Sequence, residues 1–478
     1  MGPVNGCHEG GQMKRNGKII MLLLSMLCVS VFGADIEKEM WKGVLKAGAM
    51  ELRLVFHVYE TEDGSLRAEM DSVDQGAYGL PAEKLVLKDG HYEFYFDKMK
   101  ASYIGDLDPD SGTIKGKFAQ SGLSFEMDLE RISEKIEIKR PQEPKPPFPY
   151  EEEEVSYVNK IDGNTLAGTL TFPSKEGKFP AVILITGSGT QNRNEEIFNH
   201  KPFLVIADRL SRNGFAVLRV DDRGAGGSSA LGLETSTSEN YSLDVLAGVE
   251  FLKSHPNIDA AKIGLIGHSE GGLIAPMVYA AAPDDIAFMV LLAGPGVTGK
   301  DVITAQKKLI MEAMGVDKKS IKASFKADKK VYKIIFSKDT IEEKRAKVRK
   351  LIIRYAKKEG QKLKEEELEA KVRTLTIDWM LFFLAYDPRP TLKKVLCPVL
   401  SMNGKLDLQV PYEENLAEIG KALDAAGNKN HTEKAFEKLN HLFQHCETGL
   451  ISEYGVIEET FAPEALDFMT DWLKETVK

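Results

Sequence analysis

Cysteine is scarce in this chain, with four in 478 residues, and two of them, Cys7 and Cys28, fall within the first 34. A disulfide framework is excluded as the basis of the fold. Cys397 and Cys446 are expected to be buried free thiols. Positive charge is in deficit, and the net charge of -9 argues against nucleic acid or an acidic membrane as partner. His441 and His445 stand four apart, but no H-E-x-x-H pattern accompanies them, so no metal is expected. Gly224-Ala225-Gly226-Gly227 lacks the third glycine position of a dinucleotide fingerprint, so no nucleotide cofactor is expected either.

The first 34 residues read as a secretory leader. Lys14, Arg15 and Lys18 precede an apolar run at 19–32, and small residues follow at Gly33-Ala34. The run is short of the ~20 apolar residues that a membrane span needs. An exported protein, periplasmic or secreted and without a stable membrane anchor, is expected, with Met13 as an alternative start.

Residues 35–135 alternate apolar and polar side chains, as at Tyr92-Glu93-Phe94-Tyr95-Phe96, between turn signals such as Asp63-Gly64 and Asp89-Gly90. A small antiparallel β domain fits, without a recognisable catalytic set. Residues 136–154 are rich in proline and end in Glu151 to Glu154, the composition of an extended, solvated linker. From 155 to 478 the pattern is α/β. Continuous apolar runs at 181–185, 215–220, 263–266, 288–292 and 398–402 predict strands buried on both faces of a parallel sheet. Helices are predicted between them. The alternation breaks at about 299–390, a Lys- and Glu-rich helical stretch read as an inserted cap, its lysine runs taken as solvated helix faces. Trp379, Phe382 and Phe383 are too apolar for solvent and are expected to line a substrate pocket in part.

Ile266-Gly267-His268-Ser269-Glu270-Gly271-Gly272 is a G-x-S-x-G core directly after a strand, the sequence of a nucleophile elbow. A serine hydroxyl is a weak nucleophile, so Ser269 needs a base and an orienting acid. In the order that this elbow predicts, Asp407 follows the 398–402 strand and His441 lies in a later loop. His268 is expected to point away and be structural. Asp387 is a rival acid, placed in the cap rather than after a strand. Asp221 and Asp222 are expected to hold loops by pairing with Arg223. The oxyanion donors are expected to be the backbone N–H of Glu270 and that of Ser188, with Gly189 as the alternative.

Five segments, taken in order, resemble the α/β-hydrolase superfamily and within it the EstD-like bacterial carboxylesterases. They are Gly187-Ser188-Gly189 with the polar 191–195 stretch behind it, Asp222-Arg223-Gly224-Ala225-Gly226, Gly267 to Gly272, Asn403-Gly404-Lys405-Leu406-Asp407, and Asn440-His441-Leu442-Phe443. The resemblance covers the C-terminal two-thirds. It implies an eight-stranded, mostly parallel sheet with a helical cap, a Ser269–His441–Asp407 triad, and ester hydrolysis without a cofactor. The expected substrate is a small-molecule or glycan-linked acyl ester. A peptidase or other acyl hydrolase of the same fold is the alternative, and a non-catalytic binding protein a third. The sequence sets no oligomeric state.

Overall fold

The computed structural model describes residues 36–47, 50–120, 123–136, 138–358, 360 and 362–478. The leader expected at 1–34 lies outside the described residues.

Ten strands form the N-terminal sheet: β1 (Ile36–Ala47), β2 (Met50–Glu60), β3 (Leu66–Ser72), β4 (Ala77–Pro81), β5 (Lys84–Lys88), β6 (His91–Phe96), β7 (Ala101–Asp108), β8 (Thr113–Gln120), β9 (Leu123–Glu126) and β10 (Leu129–Ile132). All neighbours pair antiparallel. The path runs β4-β3-β2-β1-β10-β8-β7-β6-β5, with β9 on β8. Its two end strands are consecutive in the chain, and the Ala82 N–H donates to Ala68 O at 2.9 Å, so the sheet curls into a half-barrel. Period-two alternation aims Trp41, Phe56, Phe94, Tyr103 and Phe118 into one core.

Arg140 fastens the following segment to the rest of the chain. Its guanidinium donates to the carbonyls of Phe198, Asn199, Gly455 and Ile457 at 2.9–3.2 Å. Glu151 to Glu154, expected in the linker, instead open β11 (Glu151–Val158). This strand pairs on one side only, and edge strands carry charge toward solvent, which is why its composition resembles a linker's.

The second sheet adds β12 (Thr165–Phe172), β13 (Phe179–Ile185), β14 (Ala216–Val220), β15 (Ile258–His268), β16 (Phe288–Leu292), β17 (Val399–Gly404) and β18 (His431–Phe436). Its order is β11-β12-β14-β13-β15-β16-β17-β18. The pairs β11–β12 and β12–β14 are antiparallel, the remaining five parallel. The continuous apolar runs divide between two cores. Ile183, Leu265, Met289 and Leu291 face one, and Val182, Leu184, Ile266 and Val290 the other. Full burial of each such side chain contributes roughly 1.5–3 kcal/mol before chain entropy is counted.

The helices are α1 (Pro202–Ser211), α2 (Ser238–Ser254), α3 (Glu270–Ala281), α4 (Gly299–Ala313), α5 (Lys318–Ile335), α6 (Ile341–Lys358), α7 (Glu365–Thr376), α8 (Asp378–Ala385), α9 (Arg389–Leu392), α10 (Tyr412–Ala426), α11 (Ile451–Tyr454) and α12 (Pro463–Thr476). Residues of α2, α3 and α10 complete the first core, and those of α1 and α12 the second. The six helices α4 to α9 stand between β16 and β17, where the strand–helix alternation breaks. Cys397 and Cys446 are both buried and unbonded.

Candidate active site

The candidate residues all follow the carboxyl ends of parallel strands, where ligands bind in open α/β sheets. β15 ends at His268 and α3 begins at Glu270, leaving Ser269 alone in the turn at φ 53° and ψ −116°. Holding a non-glycine residue in that region costs about 1–3 kcal/mol, sustained only where the surroundings fix it. Those surroundings are tight. A Cβ on Gly267 would stand 2.1 Å from Gly271 O, and one on Gly271 would stand 2.2 Å from Ile185 O. The Ser269 N–H donates to Leu292 O at 2.8 Å, anchoring the turn to β16.

Asp407 lies three residues past β17, and His441 five past β18. The His441 Nδ1–H donates to Asp407 Oδ2 at 2.8 Å. The other carboxylate oxygen accepts the N–H groups of Gln409 and Val410 at 2.8 and 2.9 Å. Bonds to a charged acceptor contribute about 1.5–3 kcal/mol each. With Nδ1 carrying the proton, Nε2 is the basic nitrogen, the tautomer that a general base requires. Ser269 and His441 line one cavity; among the described residues no hydrogen bond joins them. Apo catalytic hydrogen bonds are often long and tighten on substrate binding.

A second histidine and a glutamate brace this arrangement. His268, buried, directs Nδ1 at Glu195 Oε1 (2.9 Å) and Nε2 at the backbone oxygen of His441 (3.0 Å). A carbonyl oxygen only accepts, so Nε2 carries a proton; facing a carboxylate, Nδ1 carries the other. Glu195 Oε1 also accepts the Gly187 N–H at 2.7 Å. One buried ion pair thus ties together the loop after β13, the elbow and the His441 loop. His268 was expected to point away, yet it lines the same cavity as Ser269 and reaches the catalytic candidate's own backbone. Glu195 itself sits at φ 50°, in a stretch whose Phe198 and Asn199 carbonyls are held by Arg140.

Burial pulls the His268 pKa down, but the charge and hydrogen bond of Glu195 outweigh it, and the value is raised above 6.5. A group raised on folding stabilises fully below its unfolded value and loses that contribution as pH climbs through the folded one. Melting temperature is therefore expected to fall on the alkaline side, above about 6.5, as His268 gives up a proton. Differential scanning fluorimetry across that range should show a shallower fall in His268→Gln, and an identical slope in both proteins would refute the ion pair.

Gly187 N–H is taken by Glu195, but among the described residues neither the Ser188 nor the Glu270 backbone N–H has an internal acceptor. Both residues line the cavity. Gly189, at φ 104°, is solvent-exposed. The Glu270 carboxylate accepts Ser238 Oγ–H at 2.6 Å and Trp379 Nε1–H at 2.8 Å. Its pKa is raised, chiefly by burial. The cavity encloses about 210 Å³, with Val302, Ile303, Gln306, Trp379 and Phe383 from the helical segment on its wall.

Two expectations are corrected. Phe382 is not on the cavity wall: it stacks on Tyr386 at 5.4 Å, while Trp379 and Phe383 stack on each other at 5.2 Å. The helix α8 is apolar all round, so its sequence did not distinguish the faces. Arg223 pairs with Asp244 and Asp162, not with its neighbours. Asp221 pairs with Arg193, while Asp222 accepts the Thr186 hydroxyl and the Gln191 N–H; burial pushes the Asp222 pKa up to about 8. Asp387, the rival acid, is bound by Arg389. The sequence assigned no role to Glu195, and its only signal was one of two adjacent carboxylates, Glu195-Glu196, behind the Gly187 loop.

The family model described as serine aminopeptidase, S33, matches residues 201–447, just over half of the chain. Esterase EstD of Thermotoga maritima is 25% identical over 311 residues, which are 61% of this chain and 68% of that protein. Among solved structures, a Pyrococcus furiosus esterase is 19% identical, with 68% of this chain and 91% of that one covered and a TM-score of 0.42. Est1E of Butyrivibrio proteoclasticus, solved with ferulic acid, is 18% identical, covering 68% and 97%, with a TM-score of 0.38.

Proposed function

We propose that this chain, which belongs to the serine aminopeptidase S33 family of α/β hydrolases, is an exported serine carboxylesterase working through Ser269, His441 and Asp407. The hydrogen bond from His441 Nδ1 to a fully satisfied Asp407 carboxylate carries the reading. His441 Nε2 takes the Ser269 proton as Oγ attacks the acyl carbon. The carbonyl oxygen becomes an oxyanion, for which the Ser188 and Glu270 N–H groups are the unpaired donors at hand. Collapse expels the alcohol, which receives the proton from His441, and water then hydrolyses the acyl-enzyme by the same relay. Removal of one such oxyanion donor typically costs about 3–4 kcal/mol of transition-state stabilisation. The helices α4 to α9 act as the cap, a role supported by their residues on the cavity wall. Export rests on the residue pattern at 14–34.

The family description makes an aminopeptidase the second reading. Such an enzyme needs a carboxylate free to take the substrate ammonium. The two on the cavity wall are Glu195 and Glu270, and both are bonded within the protein. Besides Ser188, Ser269, His268 and His441, the remaining polar wall is amide, with Gln191, Gln306 and Gln409. An uncharged ester suits it better. A volume below the roughly 300–1,000 Å³ of drug-sized pockets fits a short acyl group. Across p-nitrophenyl acetate, butyrate, octanoate and laurate, kcat/KM is expected to peak at acetate or butyrate and fall about tenfold or more by laurate. Alanine p-nitroanilide is expected to be turned over far more slowly. A preference for the anilide would overturn the esterase assignment in favour of the peptidase.

A further inference from the structure

The net charge conceals a local reversal. Positions 318–364 hold eighteen Lys and Arg against five Asp and Glu, in a chain whose net charge is -9. The surplus is ordered. All seven lysines of α5, Lys318, Lys319, Lys322, Lys326, Lys329, Lys330 and Lys333, are exposed. At 3.6 residues per turn they fall within an arc of about 120°. The opposite side carries Ile321 and Ile335, both buried, and Asp328, which pairs with Lys307 of α4. On α6, Lys350, Arg354, Lys357 and Lys358 are likewise exposed and on one side.

Solvation alone does not account for this pattern. A helix face that only needs water interleaves Glu and Lys at i,i+4 and gains from each pair, whereas like charges at that spacing repel. α5 places lysines against lysines at 318/322, 322/326, 326/330 and 329/333. Among the described residues none of the seven has an ion pair; Lys330 stands over the Tyr355 ring at 5.3 Å, and Lys319 lies in the field of the N-cap carboxylate of Asp317. Acids do pair elsewhere in the inserted segment, where Glu365 and Glu369 of α7 hold Arg349 of α6, yet none pairs with the lysine stripe. The face therefore costs stability in the free protein and is complementary to a large negative surface.

Two features select the kind of surface. α5 has no arginine, and lysine is a point charge suited to a diffuse field rather than to bidentate recognition of one group. Large apolar side chains stand exposed beside the cations: Phe336, 47% exposed, continues the edge of the lysine arc at the end of α5, and Ile353, 42% exposed, borders the basic side of α6. Lysine with apolar side chains on an exposed amphipathic helix is the make-up of a segment that lies on a membrane surface. We propose that the α5–α6 hairpin is a docking surface for an anionic phospholipid bilayer. Its helices belong to the same inserted segment as Val302 and Trp379, so docking holds the catalytic cavity close to the bilayer.

Co-sedimentation of the full chain with vesicles tests this. Vesicles of phosphatidylcholine with one-quarter phosphatidylglycerol are expected to bind it, and pure phosphatidylcholine vesicles at least about tenfold less, with high salt abolishing most of the difference. The variant K322Q/K326Q/K329Q/K333Q is expected to lose about tenfold or more of the anionic-vesicle affinity while hydrolysing a soluble ester normally, which reports an intact fold. Phe336→Ser should remove the part of binding that survives salt. The leader, with its own Lys14, Arg15 and Lys18, is common to all these proteins, so binding driven by it would be insensitive to the glutamine substitutions. That outcome overturns the proposal, as does retention on an anionic polysaccharide resin without binding to vesicles.

Discussion

Ser269→Ala is expected to lower kcat on p-nitrophenyl butyrate by about 10⁴- to 10⁶-fold with little change in KM. The serine stands in the elbow at φ 53° because Gly267 and Gly271 leave room for the turn, and alanine fits the same space with the same backbone. The N–H groups of Ser188 and Glu270 remain, so binding and the residual stabilisation that oxyanion donors give on their own persist. What disappears is the oxygen proposed to form the acyl-enzyme. The same substitution should abolish labelling by a fluorophosphonate, which reacts with a serine only when an adjacent base activates it. A variant that keeps more than about 1% of the turnover would show that the hydrolysis runs through another group.

The features legible in the sequence share a physical origin. Strands β13, β15, β16 and β17 are buried on both faces, so their apolarity is continuous and announces itself. β11 and β18 lie at the sheet's two edges, where half the environment is solvent. Glu151 to Glu154 therefore look like a solvated linker. Ser269 was readable because the elbow imposes glycine at fixed offsets. Asp407 and His441 were readable because they had to follow later strands in a fixed order. Glu195 was not, since its work depends on His268 arriving from 73 residues away. Arg223 shows the complementary error: adjacency to Asp221 and Asp222 promised a pair, but the chain turns at Arg223 just after β14, and its side chain met Asp244 from α2 instead.

Asp407→Asn is expected to cost about 10⁴-fold in kcat while leaving the fold intact. The direction of the new amide decides the outcome, and the structure fixes that direction. Oδ1 accepts two backbone N–H groups, from Gln409 and Val410. An amide nitrogen there would face two donors, so the asparagine oxygen takes that side and its NH₂ turns to His441. Nδ1 must then accept, which moves the imidazole proton to Nε2 and leaves the ring unable to take the Ser269 proton. The loss is one of tautomer rather than of stability, so the melting temperature should move far less than the rate. Asp387→Asn is the matched control. That carboxylate is bonded to Arg389, and its removal should leave kcat within about twofold of the parent. A reversal of the two effects would make Asp387 the acid and remove Asp407 from the relay.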